Sequence, residues 1–437
     1  MHALASSTLE TNWRDGYTIP SARLYPFQWN WDSGFIALGL AWSHPPRALE
    51  EVRSMFRGQW SNGLLPHINF HKPNPDYFPG PDVWQTAAVP AAPRDLATSG
   101  ITQPPVFAFV LERLLTTPAA QLPGWPEFLA ELYPKILAFH RYLYTRRDPH
   151  GEGLVYIQHN WESGTDNSPA WDAVLDAIDV THAREVAHLR RDIKSVDAAH
   201  RPTNENYRRY IALVDLFARH GYDDAAIARE SPFLVQDVLF NSLLARSNQS
   251  LITLGRRLGH DTAEIEAWQE KTVAAINNKL WDGEAGHYFS YDLRAGRPLR
   301  VRTSSGFAPL FAGVCPPAQA DRLLRGLATH FMRNDAWSLC ASTAATETAF
   351  DPVKYWRGPV WINMNWLLHH GLARYGRTEL AARIKADSLR FMAEHGCFEY
   401  FDPRPVAGGG SAHGLGADAF SWSAALYLDF TLNPAPL

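Results

Sequence analysis

The residues that carry chemistry in this chain are most concentrated in the segment 158–172, QHNWESGTDNSPAWD. It is too polar for a core strand, and Pro169 interrupts a continuous helix. Two tryptophans and three acidic residues flank Gly164, so carboxylates stand in a turn beside indole rings. Indole faces bury the apolar side of a sugar ring, and a carboxyl held dry beside them keeps its proton near neutral pH. This composition predicts a carbohydrate hydrolase in which Asp166 is the protonated carboxyl.

A second acidic residue stands among aromatic side chains near the end of the chain. Glu399 lies between Phe398 and Tyr400, in the run FEYFDP. A surface glutamate seldom has several aromatic neighbours, so we expect its side chain to point into a lined cavity. Both acids also have structural interpretations. Glu399 would be a solvated edge carboxylate or part of a barrel salt bridge, and Asp166, before Asn-Ser-Pro, would be a turn or cap residue.

Helices must position these acids, because most of the chain repeats a helix–loop–helix pattern. Within 206–219, apolar residues recur on one face at a 3.6-residue period, with Thr203 placed to cap the helix and Gly221 to end it. Twelve helices in consecutive pairs predict an all-α (α/α)6 barrel. An α-solenoid is the alternative, but no fixed-period repeat supports it. The predicted helices span 33–43, 46–60, 105–115, 126–146, 206–219, 234–258, 262–280, 307–312, 317–329, 359–375, 380–395 and 419–428.

Two long polar segments, at 62–103 and 149–202, interrupt the helices. Connections of this length inside a compact protein are usually functional lids or binding loops. We therefore expect two ordered caps over one mouth of the barrel, within a single catalytic domain spanning 1–437. Two smaller features are also predicted: a capping box between Asp261 and Glu264, and one hairpin over 287–291.

Composition restricts the partners of the protein. The 437 residues carry a net charge of −4, so no basic surface for nucleic acid or an anionic membrane is expected. No apolar run reaches membrane-spanning length, and the first residues do not resemble a secretory signal. Cys315, Cys340 and Cys397 are too few and too widely spaced for a disulfide framework or a metal motif. These features predict a soluble cytoplasmic protein.

Two other patterns are weak signals. The glycines at 408–410 and 414–416 follow no strand and precede no helix with a lysine, so they predict a flexible loop beside the pocket rather than a phosphate site. His67 and His71 have the spacing of zinc ligands on a helix, but three nearby prolines disfavour a helix there. We expect no catalytic metal and no cofactor.

Seven runs carry a resemblance to a known family. They are QWNWDSGF, QWSNGLLPH, SGITQPP, NWESGTDNSPAWD, YWRGPVWINMNW, FEYFDP and GADAFSW, and the matching region extends from Tyr25 to Trp422. Taken in this order they resemble glycoside hydrolase family 63 and, within it, the bacterial mannosylglycerate and glucosylglycerate hydrolases. The resemblance implies an (α/α)6 barrel and an enzyme that hydrolyses a small α-glycoside with inversion, releasing hexose and glycerate.

The resemblance also implies the catalytic pair. In the family's ESG-x-D run the aspartate is the general acid, which corresponds to Asp166 here. In its E-[YK]-[FY]-D run the glutamate is the general base, which corresponds to Glu399. An inverting pair needs a protonated acid and an ionised base, with the carboxyls about 6.5–9.5 Å apart to admit a water.

A sugar pocket is implied in the same way. Asp32 would accept hydrogen bonds from ring hydroxyls, Gln103 would donate and accept, and Gly164 would let the main chain approach the ligand. The structural alternatives are core packing for the tryptophans and a helix N-cap for Asp32. The implied pocket residues are Tyr25, Trp29, Asp32, Gln103, Trp161, Gly164, Tyr355 and Trp361.

The leaving group is the more open question. The carboxylate of glycerate needs a cation, preferably an arginine. Arg201, in HRPTNENY, resembles an arginine in a lid of the glycosylglycerate enzymes, and Tyr77, in NPDYFPG, would add a hydroxyl. The alternative for Arg201 is a surface arginine before a helix cap, and the alternative substrate is a neutral, trehalose-like α-glucoside. A non-catalytic sugar-binding barrel and a sugar epimerase are further alternatives. We expect a monomer or homodimer that binds a small-molecule glycoside.

Overall fold

The computed structural model describes residues 1–334, 337–405, 413–435 and 437, so the glycines at 408–410 lie outside the described residues. Within these ranges the chain forms seventeen α-helices. In chain order they are α1 His2–Asn12, α2 Asn30–Ser43, α3 Pro45–Arg57, α4 Pro81–Trp84, α5 Phe107–Leu114, α6 Trp125–Arg146, α7 Asp172–Asp176, α8 Asp192–Ser195, α9 Asn204–Arg219, α10 Asp224–Glu230, α11 Val238–Leu258, α12 Ala263–Ala275, α13 Ala308–Ala312, α14 Pro317–Gly326, α15 Ile362–Arg374, α16 Thr378–His395 and α17 Ser421–Leu432.

Six of these helices form a closed inner ring. Helix α2 packs on α5, α5 on α11, α11 on α13, α13 on α15, α15 on α17, and α17 returns to α2. Outside the ring, α1 packs on α17, α3 on α2, α6 and α12 on α11, and α16 on α15, while α14 follows α13 along the chain. Outer and inner helices therefore alternate, and the predicted (α/α)6 barrel is confirmed.

Helices of the inner and outer rings differ in how many of their side chains are buried. Residues 30–41 of the inner helix α2 are all buried, because the helix has neighbours on every side. The outer helix α3 buries a single face that includes Val52 and Phe56. A buried ion pair also joins the inner helices α5 and α17, since Arg113 donates to both carboxylate oxygens of Asp429 at 3.1 Å.

The helix starts agree with the sequence in one case and differ in another. Thr203 caps α9, its hydroxyl accepting from a backbone N–H at 3.1 Å, as predicted. The predicted capping box of Asp261 and Glu264 is wrong, because α12 begins one residue later and Thr262 is its cap residue. Glu264 then lies in the second helical position, and the Thr262 hydroxyl donates to Glu266 instead.

Strands are short and form small antiparallel sheets. In chain order the strands are β1 Trp13–Arg14, β2 Tyr17–Thr18, β3 Gln28–Trp29, β4 Ile68–Phe70, β5 Ala97–Thr98, β6 Val235–Gln236, β7 Trp281–Asp282, β8 His287–Tyr288, β9 Tyr291–Asp292, β10 Arg297–Pro298, β11 Tyr400–Phe401 and β12 Gly414–Leu415. Two sheets have three strands, in the orders β3-β4-β5 and β10-β9-β6. The hairpin predicted over 287–291 lies nearer the N-terminus: its strands are β7 and β8, with Trp281 opposite Tyr288. Tyr291 belongs to another strand, β9, which pairs with neither of them.

One predicted barrel helix belongs elsewhere in the fold. The segment 206–219 is helical as α9, but α9 packs on α4 between the long loops and lies outside the ring. Helix α1, which was not predicted, takes the twelfth barrel position. Residues of both long loops line one cavity at the barrel mouth. The single domain over 1–437 stays a prediction. None of the helices in the described ranges is long and apolar enough to cross a bilayer.

Candidate active site

One cavity of about 90 Å³ opens where the long loops meet the barrel. It brings together all twelve residues that the sequence predicted for the site: Tyr25, Trp29, Asp32, Tyr77, Gln103, Trp161, Gly164, Asp166, Arg201, Tyr355, Trp361 and Glu399.

The three acids of the segment 158–172 have different partners. Glu162 is fully buried and receives both Nη1 and Nη2 of Arg147 at 3.1 Å. Asp172 receives both terminal nitrogens of Arg357 at 2.8 and 2.7 Å. Asp166 differs, because none of the described arginines or lysines lies within ion-pair distance of its carboxylate. It is therefore the acid of this loop that remains available for chemistry.

Burial determines the protonation of Asp166. Removal of the carboxyl from water raises the pKa of Asp166 to about 7, against the opposing effects of Arg201 and of a hydrogen bond from Tyr355. The Tyr355 hydroxyl donates that hydrogen bond to Oδ2 at 3.3 Å. A carboxyl with this pKa is partly protonated at neutral pH, which is what a general acid requires.

Glu399 lies in the same cavity with more hydrogen-bond donors around it. Its side chain is 1% exposed, and its Oε1 accepts from the Tyr25 hydroxyl at 2.7 Å. Oε2 accepts from the backbone N–H of Ala417 at 3.0 Å, and Nη1 of Arg201 lies 3.8 Å from Oε1. Burial raises the pKa of Glu399, while Arg201, Tyr25 and Ala417 oppose the rise. The donors and the cation favour the ionised form that a general base needs.

Two tyrosine hydroxyls connect the carboxyls. The Tyr25 hydroxyl, bound to Glu399, lies 3.4 Å from the Tyr355 hydroxyl, which in turn is bound to Asp166. Laid end to end, these three contacts stay within the upper limit of about 9.5 Å for an inverting pair. The carboxyls are therefore close enough to act on opposite faces of one anomeric carbon.

Aromatic rings form the wall of the cavity. Trp361 stacks on Trp356 with centroids 3.7 Å apart and planes at 3°, and on Tyr400 at 4.8 Å. The backbone of Tyr355 is left-handed, with φ 38°. Such a conformation in a bulky residue persists only where the surroundings hold it, and here the Tyr355 carbonyl accepts from Trp361 Nε1 at 3.1 Å. Trp161, 8% exposed, faces the cavity from the segment 158–172.

Two polar side chains, Asp32 and Gln103, also line the cavity. Asp32 is in the first turn of α2, and the N-cap residue is Trp29, so the N-cap alternative for Asp32 is wrong. Burial, Glu399 and Asp166 together raise the pKa of Asp32 well above its usual range. Gln103 Oε1 accepts from the backbone N–H of Trp31 at 3.2 Å, which leaves its amide nitrogen at the cavity.

The close approach expected at Gly164 is present. Its backbone is left-handed, with φ 72°, and an added Cβ would lie 2.6 Å from the indole of Trp31. Arg201 and Tyr77 come from the two caps and reach the same cavity. Arg201 is only 4% exposed, so the surface interpretation of this arginine is wrong.

Comparison with known proteins identifies the family. The family model described as the mannosylglycerate hydrolase MGH1-like glycoside hydrolase domain matches residues 25–423. The chain belongs to this family. It is therefore a glycoside hydrolase, of a family that inverts the anomeric carbon, as the sequence predicted.

Several relatives match over nearly their whole length. A mannosylglycerate hydrolase of Thermus thermophilus is 46% identical over 98% of this chain and 99% of its own. One of Rubrobacter radiotolerans is 44% identical over 99% and 96%. A glucosylglycerate hydrolase of Mycolicibacterium hassiacum is 33% identical over 98% and 97%. The crystal structure of the family 63 mannosylglycerate hydrolase from Thermus thermophilus with Tris and D-glycerate superposes with a TM-score of 0.89, at 45% identity, covering 98% and 99% of the chains.

The cavity of this glycoside hydrolase also contains residues that the sequence analysis did not select. Several of them lie in the sequence runs that resemble the family, and this position in the runs could have identified them as pocket residues. Tyr207 falls within the apolar-faced helix predicted over 206–219, and its run HRPTNENY is otherwise polar. The additional lining residues are Pro20, Trp31, His67, Ile68, Phe78, Pro79, Tyr207, Trp356, Phe420 and Trp422.

The spacing of His67 and His71 is explained without a metal. The two histidines flank the strand β4 and lie on no helix. His67 Nδ1 is 2.9 Å from the Ser99 hydroxyl, and His71 Nε2 is 2.7 Å from Gln28 Oε1.

Proposed function

We propose that this glycoside hydrolase cleaves an α-glycoside of glycerate, mannosylglycerate or glucosylglycerate, with Asp166 as general acid and Glu399 as general base. The observation that carries the proposal is the buried guanidinium of Arg201 in the cavity that holds both carboxyls. The Arg201 guanidinium lies 3.8 Å from Glu399, and burying such a cation is costly unless it is paired with an anion. A carboxylate on the substrate would give Arg201 a partner and so explain why it is buried in the cavity. The names of the relatives support this substrate class.

The reaction follows from the two protonation states. Asp166 gives its proton to the glycosidic oxygen as the bond to the anomeric carbon breaks, and glycerate leaves as the alcohol. Glu399 takes a proton from a water that attacks the opposite face of the sugar ring. One proton enters on Glu399 and one leaves from Asp166, so both return to their starting states by exchange with solvent.

Different residues recognise the sugar and its leaving group. Asp32 and the free amide of Gln103 bind sugar hydroxyls, while Trp161 and Trp361 cover the apolar faces of the ring. Arg201 and the Tyr77 hydroxyl bind the glycerate carboxylate.

The stereochemistry tests the catalytic assignment. Proton NMR during hydrolysis is expected to show the β-anomer of the hexose first, followed by mutarotation to the α-anomer. Initial release of the α-anomer would overturn the inverting pair.

The substrate class is tested by a charge comparison. Arg201→Ala is expected to raise KM for mannosylglycerate and glucosylglycerate by about tenfold or more, with a much smaller change for a neutral α-glucoside. Equal effects on both substrates would favour the alternative, a neutral trehalose-like α-glucoside. Wild-type rates on the two glycerate glycosides decide between mannose and glucose.

We also propose a cytoplasmic enzyme with one domain, present as a monomer or a homodimer. The three cysteines are free and buried, which suits a reducing compartment. Light scattering after gel filtration measures the assembly, and a tetramer or larger species would contradict it.

A further inference from the structure

The guanidinium of Arg201 is held at one edge. Its Nε donates to Asp192 Oδ2 at 3.2 Å, and its Cζ lies 4.1 Å over the ring of Tyr355. Nη1 has no hydrogen-bond partner among the described residues and lies 3.8 Å from Glu399 Oε1. The Nε edge of the guanidinium is therefore bonded to the long loop 149–202, and the Nη1 edge faces the cavity.

Asp192 is itself fixed by a second arginine. Arg190, 1% exposed, donates through Nε and Nη2 to the two carboxylate oxygens of Asp192 at 3.1 and 2.6 Å. Its Nη1 donates to the Pro202 carbonyl at 2.8 Å and to Asn204 Oδ1 at 3.0 Å. Arg190 thus joins both ends of the segment that carries Arg201, and Asp192 cannot turn away without breaking a bidentate pair.

The two arginines form matching stacks on cavity tyrosines. Arg190 lies 3.9 Å over the ring of Tyr207, as Arg201 does over Tyr355, and both tyrosines line the cavity. Asp192 bridges the two guanidinium groups. Planar groups held by stacking and by one bonded edge have little freedom to rotate.

We infer that Asp192 is a positioning residue, which orients the Arg201 guanidinium so that its free nitrogens face the leaving-group carboxylate. The inference rests on the proposed function, because the carboxylate is that of glycerate. Asp192 itself touches no substrate.

The sign of the effect separates positioning from simple charge. Asp192 carries a negative charge near the carboxylate site, so on charge alone its removal would strengthen the binding of an anionic leaving group. If it orients Arg201, its removal weakens that binding. The two explanations therefore predict opposite changes in KM.

The test compares Asp192→Ala and Asp192→Asn on a glycerate glycoside and on a neutral aryl α-glycoside. Asp192→Ala is expected to raise KM for the glycerate glycoside about tenfold, with kcat changed much less and KM for the neutral glycoside unchanged. The KM of Asp192→Asn for the glycerate glycoside is expected to lie between those of the wild type and Asp192→Ala, since the asparagine amide oxygen still accepts from Arg201 Nε. Asp179→Asn is the matched control, because Asp179 is exposed on the same cap and bonds Thr181.

A lower or unchanged KM for the glycerate glycoside in Asp192→Ala would overturn the inference, as would equal losses on both substrates. A crystal structure of Asp192→Ala keeps this test separate from the proposed function. If the wild-type enzyme proves inactive on glycerate glycosides, the structure still reports whether Arg201 leaves the Tyr355 ring. A guanidinium in its original place would also overturn the inference.

Discussion

The hydroxyls of Tyr25 and Tyr355 are expected to control opposite limbs of the pH–rate profile. Tyr25 donates to Glu399, and Tyr355 donates to Asp166. Each donor stabilises the ionised form of its carboxyl, so each phenylalanine variant raises the pKa of one carboxyl. In the proposed mechanism Asp166 must be protonated, so activity is lost as pH rises through its pKa, which is about 7. Glu399 must be ionised in the same mechanism, so activity is lost as pH falls through its pKa.

The direction in which each limb of the pH–rate profile moves follows from which carboxyl loses its donor. Tyr25→Phe raises the pKa of Glu399, so the acid limb moves to higher pH and the active range narrows. Tyr355→Phe raises the pKa of Asp166, so the alkaline limb moves to higher pH and the range widens. A hydrogen bond to a charged group contributes about 1.5 kcal/mol, and 1.36 kcal/mol is one pH unit. The Tyr25 bond of 2.7 Å gives a shift of about one unit, and the longer Tyr355 bond of 3.3 Å gives less.

The assay is kcat/KM for hexose release as a function of pH, because the pH dependence of this ratio reports the pKa values of the free enzyme. Tyr207→Phe is the matched control: it removes a hydroxyl from the same cavity without a hydrogen bond to either carboxyl. Its limbs are expected to stay in place. If Tyr25→Phe moves the alkaline limb and Tyr355→Phe the acid limb, the acid and base roles are reversed. If neither limb moves, the hydroxyls do not set these pKa values.

Three further predictions concern catalysis, the close approach and the barrel. Asp166→Asn and Glu399→Gln are each expected to lower kcat at least about a hundredfold while circular dichroism and the melting temperature show a retained fold. Gly164→Ala and Gly221→Ala both place alanine at a positive φ, which costs about 1–2 kcal/mol. Only the alanine at 164 also meets an indole ring, so the melting temperature and the activity are expected to fall further for Gly164→Ala than for Gly221→Ala. Arg113→Met leaves a buried carboxylate without its cation, and urea unfolding is expected to show a loss of about 3–5 kcal/mol.

The sequence predicted a site residue correctly where its type and its neighbours in the chain allow few structural explanations. Asp166 and Glu399 stand among aromatic residues, and an acid in such a place is either buried or functional. Arg201 could be identified only through its resemblance to a lid arginine, because nothing beside it in the chain indicates a partner. The periodic helices were predictable for a similar reason, since an apolar face at a 3.6-residue spacing has one use.

Features that depend on tertiary contacts could not be predicted. Helix α1 lacks a one-sided apolar face and a capping side chain, so its sequence does not indicate a helix, yet it completes the barrel by packing on α17. Helix α9 has such a face, but that face packs in the cap, and periodicity does not say against which neighbour a helix packs. Asp192 has no aromatic neighbour in sequence, and its role arises only because the cap folds Arg190 and Arg201 onto it.

The chemistry of this site depends on which charges are left without a partner. Glu162 lies four residues before Asp166 and is more deeply buried, and its two oxygens accept hydrogen bonds from a bidentate arginine and from the backbone N–H groups of Gln158 and Thr102. That pairing fixes the acid loop to the segment of Gln103, so Glu162 acts as an anchor. Asp166 emerges from the same loop with a tyrosine hydroxyl in place of a cation, and its burial then favours the proton. The loop therefore carries two carboxyl groups of the same chemical type, and only Glu162 has a bidentate arginine. Asp166, without such a partner, is the one that can serve as the proposed general acid.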